Sequence, residues 1–169
     1  MDIFIKREKM KPKKTIQELS INIKEAEEAI KNNTNDKLLN LTTKKVLKMN
    51  WNILKLLNID NETRLAIFNQ LEKYKYIDEL DELRYGSYLR WIPKFPTDKS
   101  QLRYTGILCD IVIAEQGVLL SCKNFMHRHY TFKMDECYIF QKLTEQEQLI
   151  LSLLEHLDNE NDEESDEDK

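Results

Sequence analysis

Between residues 15 and 57 the apolar positions recur every three or four residues, the spacing of one helix face. Thr15 and Glu18 form a T-x-x-E capping box. Ile16, Leu19, Ile23, Ala26 and Ile30 follow as a narrow stripe, with Lys24, Glu25, Glu27, Glu28 and Lys31 around it. The run Asn32-Asn33-Thr34-Asn35 breaks the pattern. A second helix is predicted over 36–57, with Leu39, Thr42, Val46, Met49, Ile53 and Leu56 as its stripe and Leu38, Trp51, Leu54 and Leu57 widening it. Two stripes this short suit a helical hairpin packed within the chain or along a dimer seam, and do not demand a long coiled coil. Asp60 is placed to cap a third helix over 61–74, facing Leu65, Phe68 and Leu71 inward. Ile77, Leu80 and Leu83 predict a short fourth helix over 77–83.

At Gly86 the apolar period drops from about 3.6 to 2. Strands are predicted over 87–92, 103–114, 118–125, 129–134 and 137–141. Glu115-Gln116-Gly117 reads as the turn of a hairpin. Gly106 lies inside a strand pattern, the signature of a bulge or a close backbone approach. Thr144 and Glu147 form a second capping box, opening a helix that carries Leu149, Ile150, Leu153, Leu154 and Leu157 on one face. The pattern as a whole predicts an α+β protein: an N-terminal helical hairpin or bundle, then a small five-stranded antiparallel β module, SH3-like or Sm-like, closed by the C-terminal helix. Its expected divisions are a flexible basic arm at 1–14, a helical region at 15–83, the β module with its helix at 84–157 and a disordered acidic tail at 158–169.

Charge sharpens this division. The chain carries a net −4, but 158–169 (DNENDEESDEDK) holds eight acidic residues against Lys169, which leaves +3 for the rest. The first fourteen residues hold six Lys or Arg against Asp2 and Glu8. An acidic block of this kind stays solvated and serves solubility or interaction. No apolar run reaches the roughly 18 residues of a membrane span, and the charges of the N-terminal stretch follow its apolar residues, the reverse of a secretory signal. With three cysteines, an odd number, the expected setting is an intracellular, reducing compartment with free thiols.

Candidate chemistry is sparse. Cys122, His127, His129 and Cys137 are zinc-type ligands, but Cys122 alternates with Val118 and Leu120, Cys137 with Ile139, and Cys109 with Ile107 and Ile111, so all three thiols are predicted on the core face as small hydrophobes. The C-x2-C knuckles usual in structural zinc sites are missing, and the same positions argue against a Cys–His nucleophile. No phosphate-cradling, hydrolase or dinucleotide motif occurs, so no cofactor and no enzymatic activity are expected. Asp78, Glu79, Asp81 and Glu82 read as a solvated face. The positive signal is an interleaving of basic and aromatic residues. One run holds Arg84, Tyr85, Tyr88, Arg90, Trp91, Lys94, Phe95, Lys99, Arg103 and Tyr104; another holds Phe125, His127, Arg128, His129, Tyr130 and Lys133. From these, Arg84, Arg90, Trp91, Arg128 and Lys133 are the candidate nucleic-acid contacts, cations for phosphate and a ring for base stacking. A net +3 is small for that role, so a protein partner or self-association is the leading expectation, nucleic acid the rival, and membrane is not expected.

Two stretches, Leu83-Arg84-Tyr85-Gly86-Ser87-Tyr88-Leu89-Arg90-Trp91-Ile92-Pro93 and Ile139-Phe140-Gln141-Lys142-Leu143-Thr144-Glu145-Gln146-Glu147-Gln148, resemble segments of small uncharacterised proteins of giant nucleocytoplasmic DNA viruses. The resemblance spans residues 83–157. It implies a viral origin and a place in the host cytoplasm, the virus factory or the virion, and it carries over no catalytic residue.

Overall fold

The computed structural model describes residues 41–164, with side chains through residue 155. Helix α1 (Thr43–Leu54) and helix α2 (Asn61–Gln70) precede six strands: β1 (Tyr74–Ile77), β2 (Tyr88–Pro93), β3 (Tyr104–Ala114), β4 (Gly117–Lys123), β5 (His129–Lys133) and β6 (Cys137–Lys142). Helix α3 (Glu145–Glu164) follows. The predicted arm at 1–14 and the predicted helix beginning at Thr15 lie outside the described residues.

Both described N-caps at the front of the molecule are conventional. Thr42 accepts from the Lys45 N–H at 3.3 Å, and Asp60 Oδ1 accepts from the Thr63 N–H at 2.8 Å. At the far end of α1, the Arg64 guanidinium donates to the carbonyls of Leu54, Leu57 and Ile59 at 3.0–3.3 Å, holding groups the helix leaves unpaired. The buried face of α1 is Val46, Asn50 and Leu54, with Leu56 65 % exposed. That is one residue around from the predicted stripe, and Asn50 is the reason. Its Nδ2 donates to the Tyr74 carbonyl at 2.7 Å and its Oδ1 accepts from the Tyr76 N–H at 3.0 Å. One side-chain amide thereby satisfies the outer edge of β1 as a neighbouring strand would.

The strands form one antiparallel sheet in the order β1-β6-β2-β3-β4-β5. This corrects the expected five-stranded SH3-like or Sm-like barrel: there are six strands, and the sheet is open, with β1 and β5 at its edges. The missed strand, β1, is only four residues long and spans the junction between the two helices predicted over 61–74 and 77–83. Lys75 and Ile77 alternate inward against Tyr74 and Tyr76, and of the predicted helix at 77–83 only a 3-10 turn, Leu80–Glu82, remains. The β3–β4 hairpin turns at Glu115-Gln116, with Gly117 at φ 117°. Gly106 is a close approach: a Cβ there would stand 3.0 Å from the Lys123 carbonyl oxygen and 3.2 Å from the Cys122 Cβ. A register shift between Leu108 and Asp110 leaves Cys109 exposed, correcting its predicted inward position, because the bulge reverses the alternation.

Alternation splits the core between the two faces of the sheet. On one face Leu89, Trp91, Leu108, Leu120, Cys122 and Ile139 cluster with Ile77 and Leu83. Trp91 on β2 stacks on Phe132 of β5, ring centroids 4.5 Å apart, although β3 and β4 lie between them in the sheet, so the sheet curls strongly. On the other face Phe140 and Ile92 pack with Leu54, Leu57, Ile67 and Leu71 of the helical segment. The helices and the sheet therefore share a core. Helix α3 does not close the curled face: Leu151 packs with Leu143 and with Val46 of α1. Its backbone runs through Glu164, so the acidic segment begins inside the helix.

Candidate interaction surfaces

The segment between the 3-10 turn and β2 is held by buried polar groups. Gln141, buried on β6, accepts at Oε1 from the Arg84 N–H and the Ser87 hydroxyl, both at 2.8 Å, and donates from Nε2 to the Glu82 carbonyl at 2.9 Å. Glu82 also pairs with the buried Lys75 ammonium. Gly86, at φ 77°, donates to the Leu108 carbonyl at 2.8 Å. Glu147 joins this frame from α3. It completes the predicted capping box, accepting from the Thr144 N–H at 2.7 Å and donating its own N–H to Thr144 Oγ1 at 3.1 Å, and it also binds the Arg84 guanidinium. These contacts shape a shallow groove of about 310 Å³ between residues 84–88 and 142–144. Tyr85 and Tyr88 are at least half exposed along it, and Lys142 Nζ lies 5.5 Å from the Tyr88 ring centre.

The five candidate nucleic-acid contacts do not form one surface. Arg84 is bound to Glu147 and, at 3.1 Å, to the Lys142 carbonyl. Arg90 donates to Gln70 at 2.8 Å and lies over the Tyr74 ring, with its Nε buried. Trp91 is buried, stacked on Phe132 and Tyr104. Lys133 reaches Glu136 at 3.2 Å. Arg128 is exposed on the turn between β4 and β5.

Nor does the Cys/His set converge. Cys122 is buried on β4, and Cys137 is half-buried at the start of β6 beside Pro93. His127, at φ 60°, and His129 are exposed at the β4–β5 turn. No group of three or more metal-binding side chains comes together among the described residues. Burial pushes the Cys122 thiol up to about 12 and the Cys137 thiol to about 11, so neither is disposed to act as a thiolate.

Two further sets of exposed apolar side chains lie at opposite ends of β4. Val112 and Ile113 stand out at the β3–β4 hairpin, Ile113 at 76 % exposure, and Phe125, Met126 and Tyr130 on and beside the β4–β5 turn, Phe125 at 88 %. The turn is built on Asn124, whose side-chain oxygen accepts from the N–H groups of Met126 at 2.9 Å and Arg128 at 3.0 Å. Tyr130 stands 6.1 Å from Tyr104 and 6.2 Å from Trp91, so the aromatic residues of the two sequence runs do meet here. Sequence reasoning found these rings and the Thr144–Glu147 capping box, and missed Asn50, Gln141 and the pairing of Glu147 with Arg84. A lone amide or carboxylate among apolar positions signals a buried polar partner but does not name it.

Fold and surfaces together define an α+β protein with an open, curled six-stranded antiparallel sheet. Compared with protein-family models, curated proteins and solved structures, the chain matches none of them. No helix among the described residues is long and apolar enough to cross a membrane.

Proposed function

We propose that this protein is a non-enzymatic interaction protein that contacts a protein partner through its β4–β5 turn. The observation that carries the reading is the set of large apolar side chains left in solvent there, Phe125 at 88 % and Met126 at 57 %, with Tyr130 beside them. Apolar groups exposed together at one turn of a small domain, on strands held by a packed core, are the usual anchors of a protein interface. The rival nucleic-acid reading loses support, since of its five residues four are engaged in contacts inside the fold. The proposed setting, a virion or virus factory, rests on the resemblance of residues 83–157 alone.

The test compares variants in one co-purification from cells expressing the full chain. Phe125→Ser and Met126→Ser alter side chains that pack on little, so the fold should stand. A partner kept by the unaltered chain and by Tyr85→Ser, and lost by Phe125→Ser, supports the reading. Strictly monomeric protein on light scattering, with nothing whose recovery depends on Phe125 or Met126, contradicts it.

A further inference from the structure

The two outer strands of the sheet are treated differently. The edge of β1 is sealed by the Asn50 amide. β5 pairs with β4 alone among the described residues, and His129, Tyr130 and Thr131 are exposed. The Asn124 N–H donates to the Arg128 carbonyl at 2.9 Å. Carrying the antiparallel alternation onward from that pair turns the N–H and C=O groups of His129, Thr131 and Lys133 away from β4. A bare, exposed edge of this kind is a template for another strand.

The charge around this edge is selective. From residue 116 to residue 134 there is no carboxylate, while Lys123, Arg128 and Lys133 stand with His127 and His129. In a chain with 30 acidic residues among 169, a stretch this long would by composition hold about three. Lys133 is shared with Glu136, and among the described residues the exposed Arg128 is on no carboxylate. The strand's two faces also differ. Tyr130 and Phe132 turn toward Trp91, so His129, Thr131 and Lys133 fall on the opposite face.

Resting on the contact face proposed above, we infer that β5 takes up an extended segment of a protein partner whose residues alternate between acidic and apolar. Backbone hydrogen bonds to β5 hold it, its apolar residues extend the row of Tyr130 and Phe132, and its carboxylates meet the basic groups along the strand, Lys133 and the exposed Arg128 at its start. The chain's own acidic segment, 158–169, contains no apolar residue and does not fit this pattern.

The probe is a short labelled peptide alternating glutamate and valine, read by fluorescence anisotropy against the full chain. The expected result is binding that weakens with salt and exceeds that of a lysine–valine alternation and of the same residues arranged in blocks. Arg128→Glu should weaken it on the order of tenfold. Thr131→Pro, which removes an outward N–H and no charge, should weaken it comparably while the circular dichroism of the sheet persists. Should that variant unfold, the exposed Arg128→Glu carries the test. Equal binding of the lysine–valine peptide overturns the inference. So does binding of single-stranded DNA with the same Arg128 dependence and no Thr131 dependence, which would make the surface a general polyanion site. Absence of peptide binding beside intact Phe125-dependent partner retention rejects strand addition and leaves the contact face standing.

Discussion

Asn50 is fully buried, and its amide stands in for a whole strand on the edge of β1. Asn50→Leu keeps the number and branching of the side-chain heavy atoms but orphans the Tyr76 N–H and the Tyr74 carbonyl inside the protein. An unsatisfied buried backbone group costs about 1–3 kcal/mol, so the variant should lose about 2–4 kcal/mol of stability in urea unfolding. A change below about 0.5 kcal/mol would mean that the edge is satisfied by something else. The thiols and Tyr76 set the pH response. Burial raises Cys122 to about 12, Cys137 to about 11 and, with Asp78 beside it, Tyr76 to about 12. The folded state thus holds protons that the unfolded chain releases first, so this stability is complete below about pH 9 and is lost as pH rises toward 12. Cys122→Ala should flatten that loss, and an unchanged alkaline slope would contradict it. At this scale the sequence was legible where chemistry is local, as in the caps of Asp60 and Thr144. It was not legible where one residue serves a distant segment, as Asn50 serves β1 and Gln141 serves residues 82–87.

Five strands follow their alternation to within two residues, and the β3–β4 turn is where Glu115-Gln116-Gly117 placed it. The sixth strand escaped because Tyr74–Ile77 has only two inward positions, and one of them is Lys75, buried by its pairing with Glu82. Charge at an inward position hides a strand from any hydrophobic pattern. The barrel expectation failed for a related reason: strand count and alternation say nothing of whether the last strand reaches the first. Cys109 shows a third limit, since one extra residue at a bulge inverts which face follows. Gly106, by contrast, was readable as a close approach, and it yields a prediction. Gly106→Val would push a side chain into the Lys123 carbonyl and the Cys122 Cβ, neither of which can swing aside. Parting β3 from β4 should cost about 1–3 kcal/mol in thermal or urea unfolding. A neutral variant would show that the two strands have room to separate.

The whole molecule is a shared core with unequal edges. Phe140 and Ile92 join Leu54, Leu57, Ile67 and Leu71, so the helix-facing side of β2 and β6 is covered from within the chain. The short amphipathic stripe of α1 packs inside the chain, on β1, α2 and α3. β5 with the β4–β5 turn is turned outward, and on it both the proposed contact face and the proposed added strand depend. The division was only half visible beforehand, because the rings and cations of residues 125–133 can be read from the sequence while the edge they border cannot. Helix α3 adds a further asymmetry. Its acidic distal turns face the negative end of the helix dipole, with no basic residue in the last turn to offset it.

Amide hydrogen exchange on the full chain tests the central claim, the unequal edges, most directly. The account predicts a Tyr76 amide protected to near the global stability by Asn50, and alternate amides of β5, those of His129, Thr131 and Lys133, exchanging orders of magnitude faster. Adding the glutamate–valine peptide should then slow those same amides. Uniform protection along β5 in the free protein would show that its edge is already covered, and would contradict both the docking edge and the contact face built around it.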